Sequence, residues 1–184
     1  MVFSLVILLT WQQADAQKFS RQDSLKGSIT PERAWWNLLH YDLEVEVDAE
    51  GKFLSGVNRI RFEVLDAGSV MQLDLQEPMK IEEVKFKSEV LGVNRDGNVF
   101  YVNFPNSLSE GETLEIDVHF KGRPKESINP PWDGGFIWSK DRNKKDFVAN
   151  AVQLIGPSAW FPSKDHPYDE PDQGVDLKII CPSD

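Results

Sequence analysis

Strict alternation of apolar and polar residues recurs along this chain, and a period of two fits a half-buried β-strand better than any helix. The clearest run places Tyr41, Leu43, Val45 and Val47 on one face and Asp42, Glu44 and Glu46 on the other. Ala49-Glu50-Gly51-Lys52 turns the chain. The return run puts Ile60, Phe62 and Val64 inward and Arg59, Arg61 and Glu63 outward, so acidic and basic rows are expected to oppose each other and help fix the register. Met71, Leu73 and Leu75 alternate with Gln72 and Asp74, and Ile81 to Phe86 carries a weaker pattern with Lys85 and Lys87 outward. Arg95-Asp96-Gly97-Asn98, between Glu89 to Val93 and Val99 to Phe104, is the strongest hairpin signal, because Gly97 accepts positive φ without a steric cost. Leu114 to Phe120 and Val175 to Cys181 supply two more alternating runs. A helix is expected only over Ala34 to His40. The pattern predicts an all-β, antiparallel protein of short strands: a β-sandwich or an open, saddle-shaped pair of sheets.

Size and charge narrow the functional classes. With 184 residues, 40% of them hydrophobic, the chain has material for one ordinary domain with an appendage. Thirty acids against twenty bases give a formal charge of −10, the wrong sign for a phosphate backbone, so no nucleic-acid partner is expected. Basic residues gather between Lys121 and Asp146 and acids between Asp165 and Asp184, as solvated loops commonly do. Val2 to Leu9 is an uncharged, largely apolar run followed by Ala14-Asp15-Ala16, the pattern of a signal peptide over residues 1–16. It is shorter than the roughly 20 apolar residues that span a bilayer, so an exported protein, periplasmic or extracellular, without a transmembrane anchor is expected. Residues 17–33 read as a polar linker, and residues 34–184 as the β domain.

The usual catalytic signatures are missing. The sequence contains no H-E-x-x-H, no G-x-S-x-G and no phosphate-binding loop. His40, His119 and His166 lack metal-ligand spacing, and the acidic stretch Asp165 to Asp172 does not fit a calcium loop, which needs alternating acids and a central glycine. The single cysteine, Cys181, excludes an intrachain disulfide and reads as a small core residue at a strand end. Trp35, Trp36, Trp132, Trp138 and Trp160 fall at strand ends or in loops. They leave two readings: rings that fill the core, or a stand-alone module that stacks exposed rings on carbohydrate.

Three stretches together resemble the amino-terminal domain of the aminopeptidase N family of zinc metallopeptidases, which includes the leukotriene hydrolase/aminopeptidase. They are Tyr41 to Leu75, ending in leucine-aspartate-leucine; Pro130 to Asp141, PPWDGGFIWSKD, in the version of a bacterial branch; and Asn150 to Asp172, with Gln153 and the F-P-x-x-D-x-P core from Phe161 to Pro167. The resemblance implies a saddle-shaped β domain that packs in cis on a thermolysin-like catalytic domain. The zinc would belong to that second domain, and this chain would bind none. The chain would then be a fragment, inactive alone, that shapes the entry of a peptide substrate. The resemblance further implies that Gln153 binds the free α-amino group of the peptide, which confines cleavage to the amino terminus. Several positions depart from the family pattern: Ala151 stands where a polar residue is usual, Ser163 replaces a cysteine, and His166 replaces the glutamate of D-E-P. These mark a divergent branch and leave side-chain preference open.

Overall fold

The computed structural model describes residues 19–181; the leader expected over residues 1–16 lies outside the described residues. In chain order the strands are β1 (Trp36–Asp48), β2 (Phe53–Val64), β3 (Gly68–Asp74), β4 (Lys80–Phe86), β5 (Glu89–Val90), β6 (Gly92–Asp96), β7 (Val99–Leu108), β8 (Thr113–Gly122), β9 (Gly135–Lys140), β10 (Asp146–Ala151) and β11 (Val175–Ile180). They form a six-stranded sheet in the order β11-β1-β2-β8-β4-β5, a three-stranded sheet β3-β7-β6 and the hairpin β9-β10. Every pairing is antiparallel except β1 with β11. The fold is therefore all-β, as the alternation predicts, with three sheets where two were expected.

The core lies where apolar faces of the sheets meet. Leu43, Leu54, Ile60, Phe62, Val118 and Phe120 of the large sheet, with Met71, Leu73 and Val102 of the three-stranded sheet, belong to one buried cluster. Trp35 and Trp36 both meet Phe62 edge to face, a geometry that suits the positive edge and negative face of aromatic rings. The opposing charge rows are realised in part. Arg59 lies opposite Asp42, 2.9 Å from its carboxylate, whereas Arg61 faces His40. The Gly97 hairpin forms as expected, with Asp96 paired to Val99 and Gly97 at φ +62°.

Local readings of the chain need correction in four places. The window Ala34 to His40 is mostly strand: a bulge between Leu38 and His40 interrupts the two-residue period and hides the strand from a pattern search. Two short helices, α1 (Arg21–Gly27) and α2 (Pro31–Ala34), take up much of the stretch read as a linker, and α2 runs one residue past its end at 33. Ser20 caps α1 in a reciprocal box with Asp23, and Arg33 at the end of α2 is fully buried. On β3 the polar face is buried as well as the apolar one, because Gln72 and Asp74 lie under these helices and the segment near Ser163. Finally, β11 keeps its alternation yet is exposed along its whole length, and Cys181 beyond it is exposed rather than core.

Candidate functional site

Gln153 opens the turn Gln153–Ile155, immediately after β10. Pairing of β10 with β9 sets Ala151 opposite Gly135, so the chain leaves the hairpin beside Gly134. Gly134 is at φ +65°, and a side chain there would come within 2.8 Å of the Ile155 side chain and 3.2 Å of the Gln153 carbonyl. The turn thus lies close to a glycine where any side chain would be strained by the positive φ and would crowd Ile155.

Side chains distant in sequence fasten the other end. The Ile155 carbonyl accepts from Lys26 Nζ at 2.7 Å and from Gln76 Nε2 at 2.6 Å. Gly156, at φ +80°, packs against the Asp165 carboxylate: a Cβ there would lie 2.2 Å from Oδ2. That carboxylate also accepts from Ser158 Oγ at 2.5 Å.

Behind the turn lies a buried ionic frame. Asp74 and Ser163 exchange backbone hydrogen bonds of 2.8 and 3.0 Å, and Asp74 Oδ2 accepts from the Asp165 amide at 3.0 Å. Asp74 Oδ1 is 2.5 Å from Arg33 Nη2, while Arg33 Nη1 donates to the carbonyls of Leu25, Lys26 and Ser28. Burial pushes the Asp74 carboxyl above its ordinary value against the opposing pull of Arg33. Nearby, Lys164 donates to the Trp36 carbonyl, pairs with Asp169 and lies 4.1 Å from the centre of the Trp36 ring. Burial lowers its ammonium to about 8.

At the centre of these fixed points the Gln153 side chain is exposed, and it has no hydrogen bond among the described residues. Its amide offers one carbonyl acceptor and two N–H donors to a ligand. Ala151 cannot add a second polar contact. Lys26, Arg33 and Gln76, which help set the turn, escaped the sequence reading, while Asp74 and Asp165 entered it as members of the family-like stretches. The Ser20-x-x-Asp23 capping box was the one local signal that the segment before Arg33 is structured.

The residues present do not fit a zinc centre. Among the described residues no group of three His, Cys, Asp or Glu side chains converges as a metal site. His166 is engaged at both nitrogens, Nε2 lying 3.1 Å from the Gly27 carbonyl and Nδ1 accepting from the Tyr168 amide at 3.2 Å. The tryptophans also divide: Trp35 and Trp36 are buried, Trp138 and Trp160 pack on the core, and Trp132 stands in solvent. Among the described residues no helix is long and apolar enough to cross a membrane.

No family model matches the sequence, and no curated protein does. Solved structures do match. The M1 zinc metallopeptidase of Deinococcus radiodurans superposes with a TM-score of 0.65 at 20% identity, over 86% of this chain and 35% of that one. The fold is that of the M1 zinc metallopeptidases. A variant of the same enzyme bound to a Tyr-Ser-Ala substrate aligns equally well, at TM-score 0.65 and 20% identity over 85% and 35% of the two chains. Leukotriene A4 hydrolase of Saccharomyces cerevisiae gives 0.64 at 18% identity, over 81% of this chain and 24% of its own. This chain therefore spans about a third or less of the M1-fold proteins it resembles.

Proposed function

We propose that this chain is the amino-terminal, substrate-shaping β domain of an exported zinc aminopeptidase of the aminopeptidase N family, with Gln153 as the residue that receives the α-amino group of the peptide. The observation that carries this reading is the presentation of Gln153. An exposed amide without a hydrogen bond among the described residues sits on a turn held by Gly134, Lys26, Gln76 and the Asp165 carboxylate, in a fold shared with M1 zinc metallopeptidases. A ligand group held by a rigid turn loses little free energy to ordering the protein. The carbonyl oxygen of Gln153 accepts one ammonium proton, orienting the peptide by its first residue and disfavouring chains whose amino group is blocked.

Zinc and the groups that activate water belong, on this reading, to a catalytic domain in cis; this chain supplies binding and orientation only. A docking face for that domain is at hand. A groove of about 700 Å³ runs between β1, β10 and β11, lined by apolar residues including Val47, Val148, Trp160, Leu177 and Ile179. The leader-like run Val2 to Ala16 is the basis for export.

The test is Gln153→Ala in the protein expressed from its full reading frame. Binding of substrates with a free amino group should weaken by about 1.5–3 kcal/mol, the range for a hydrogen bond to a charged group. Equal loss on amino-blocked substrates removes the assignment.

A further inference from the structure

We propose that β11 is the contact edge of a symmetric dimer: the free edge of the six-stranded sheet pairs antiparallel with the same strand of a second copy of this chain, in a register centred on Leu177. The dimer does not depend on the role of Gln153.

The two edges of the six-stranded sheet differ. One is β5, only Glu89 and Val90 long, and too short to template a neighbour. The other is β11, six residues paired to β1 without a register shift and without a proline. All six are exposed, the apolar Val175, Leu177 and Ile179 by 49%, 52% and 58%. The Tyr41 amide donates to the Gly174 carbonyl at 3.4 Å, which in a parallel ladder turns the backbone groups of the even-numbered residues of β11 toward β1. Those of Val175, Leu177 and Ile179 therefore face away from the sheet, and no strand of the described residues lies beside them. Such a row of N–H and C=O groups is a template for another strand.

Charge selects the partner and the register. A two-fold axis perpendicular to the sheet keeps like faces together, so odd-numbered residues meet odd and even meet even. Centring the axis on Asp176 or on Lys178 sets a charge against itself. Centring it on Leu177 sets Leu177 against Leu177, Val175 against Ile179 and Asp176 against Lys178: apolar pairs on one face, opposite charges on the other. Each outward residue then exchanges both backbone hydrogen bonds with the second copy. The charge pair also completes rows already in the sheet. Asp176 stands beside Asp42, a like charge, and its ion-pair neighbour among the described residues is His40, Nε2 at 3.3 Å. Lys178 of a second copy brings a permanent cation to that side, so the row runs Arg59, Asp42, Asp176 and then the incoming Lys178, itself beside Glu44 of its own chain at 2.8 Å. A second copy is thus complementary in charge as well as in backbone. The contact joins edges and not faces, so the groove beneath each β11 is left for a separate contact.

The experiment is equilibrium sedimentation of the protein expressed from its full reading frame, in which the weight-average mass should climb toward twice the monomer as concentration rises. Asp176→Lys and Lys178→Asp each set like charges against each other across the axis, and each should raise the dimer dissociation constant about tenfold or more. Mixed one to one, the two variants present opposite charges at both positions and should associate as the wild type does. A substitution that merely loosened β11 from its own sheet would not be repaired by mixing. With Cys181→Ser removing the exposed native thiol, Leu177→Cys should form a disulfide between copies, because a hydrogen-bonded antiparallel pair holds its Cα atoms about 5.5 Å apart. Asp176→Cys and Lys178→Cys, each alone in that background, should not. A wild type that stays monomeric, its edge left to solvent, to a catalytic domain or to a segment outside the described residues, overturns the inference. So does a mixture that associates no better than its two components, or self-linking at position 176 or 178 in place of 177.

Discussion

Neighbouring strands β1 and β11 run parallel with Tyr41 beside Val175, Leu43 beside Leu177 and Val45 beside Ile179. Both sequences alternate, and the paired side chains point to the same face of one sheet. Their fates differ completely: Leu43 is 1% exposed and Leu177 is 52% exposed. The three-stranded sheet and the segment around Phe161 lie against β1, whereas the groove lies open beneath β11. Alternation thus specifies which residues share a face, and cover is a separate property supplied by chain that is distant in sequence.

The largest expected effect tests that contrast directly. Leu43→Ala should destabilise the chain by about 2–5 kcal/mol, the cost of a cavity in a packed core. Leu177→Ala should cost less than about 1 kcal/mol in urea unfolding of the 184-residue chain, as for a surface position. Equal losses would mean that β11 is covered in solution.

A second, smaller effect probes the polar depth on the covered side. The Lys164 amide donates to the Tyr41 hydroxyl at 2.8 Å, so the Lys164 cluster abuts β1. Burial lowers the Lys164 ammonium from 10.5 to about 8. Between those values the unfolded chain binds the proton that the folded chain has released, so stability rises with pH across this window. Tyr41 closes it. Burial raises its phenol above the ordinary tyrosine value near 10, so from about that pH the unfolded chain deprotonates first and stability falls. Urea midpoints should therefore rise from pH 8 to 10 by the equivalent of roughly 2 kcal/mol and decline beyond. Lys164→Met should flatten the rise, and an unchanged slope in that variant would remove Lys164 as its cause.

The smallest effect on stability belongs to the open edge. Ile179→Lys places a charge on an exposed apolar strand, the device by which natural sheets discourage edge pairing. The unfolding free energy should move by less than about 0.5 kcal/mol while light scattering at high protein concentration falls. Unchanged scattering would show that this edge does not drive association.

The contrast also explains what was legible beforehand. Tyr41 to Val47, Ile60 to Val64 and the Gly97 hairpin could be read because their determinants lie within a few residues of one another. The buried polar face of β3 could not, since Arg33 and Asp74 are 41 residues apart and neither has a local reason to be interior. The start of β1 was hidden by the bulge at Leu38/His40. Gln153 was singled out by the residues around it, from Asn150 to Asp172, and by no periodicity. The turn that presents it depends on Lys26, 129 positions from its partner Ile155, and on Gln76, 79 positions away.

One consequence of the Arg33–Asp74 pair concerns where the folding unit begins. Hydrophobic patterning draws the boundary at Ala34, after the helices that carry Lys26 and Arg33. A polypeptide trimmed there would lose the guanidinium that neutralises Asp74 and the lysine that grips Ile155, leaving an interior carboxylate without its counter-charge. The short helices ahead of the first strand are thus the keystone of the Gln153 turn, and the unit that folds with that turn intact starts no later than the capping serine, Ser20.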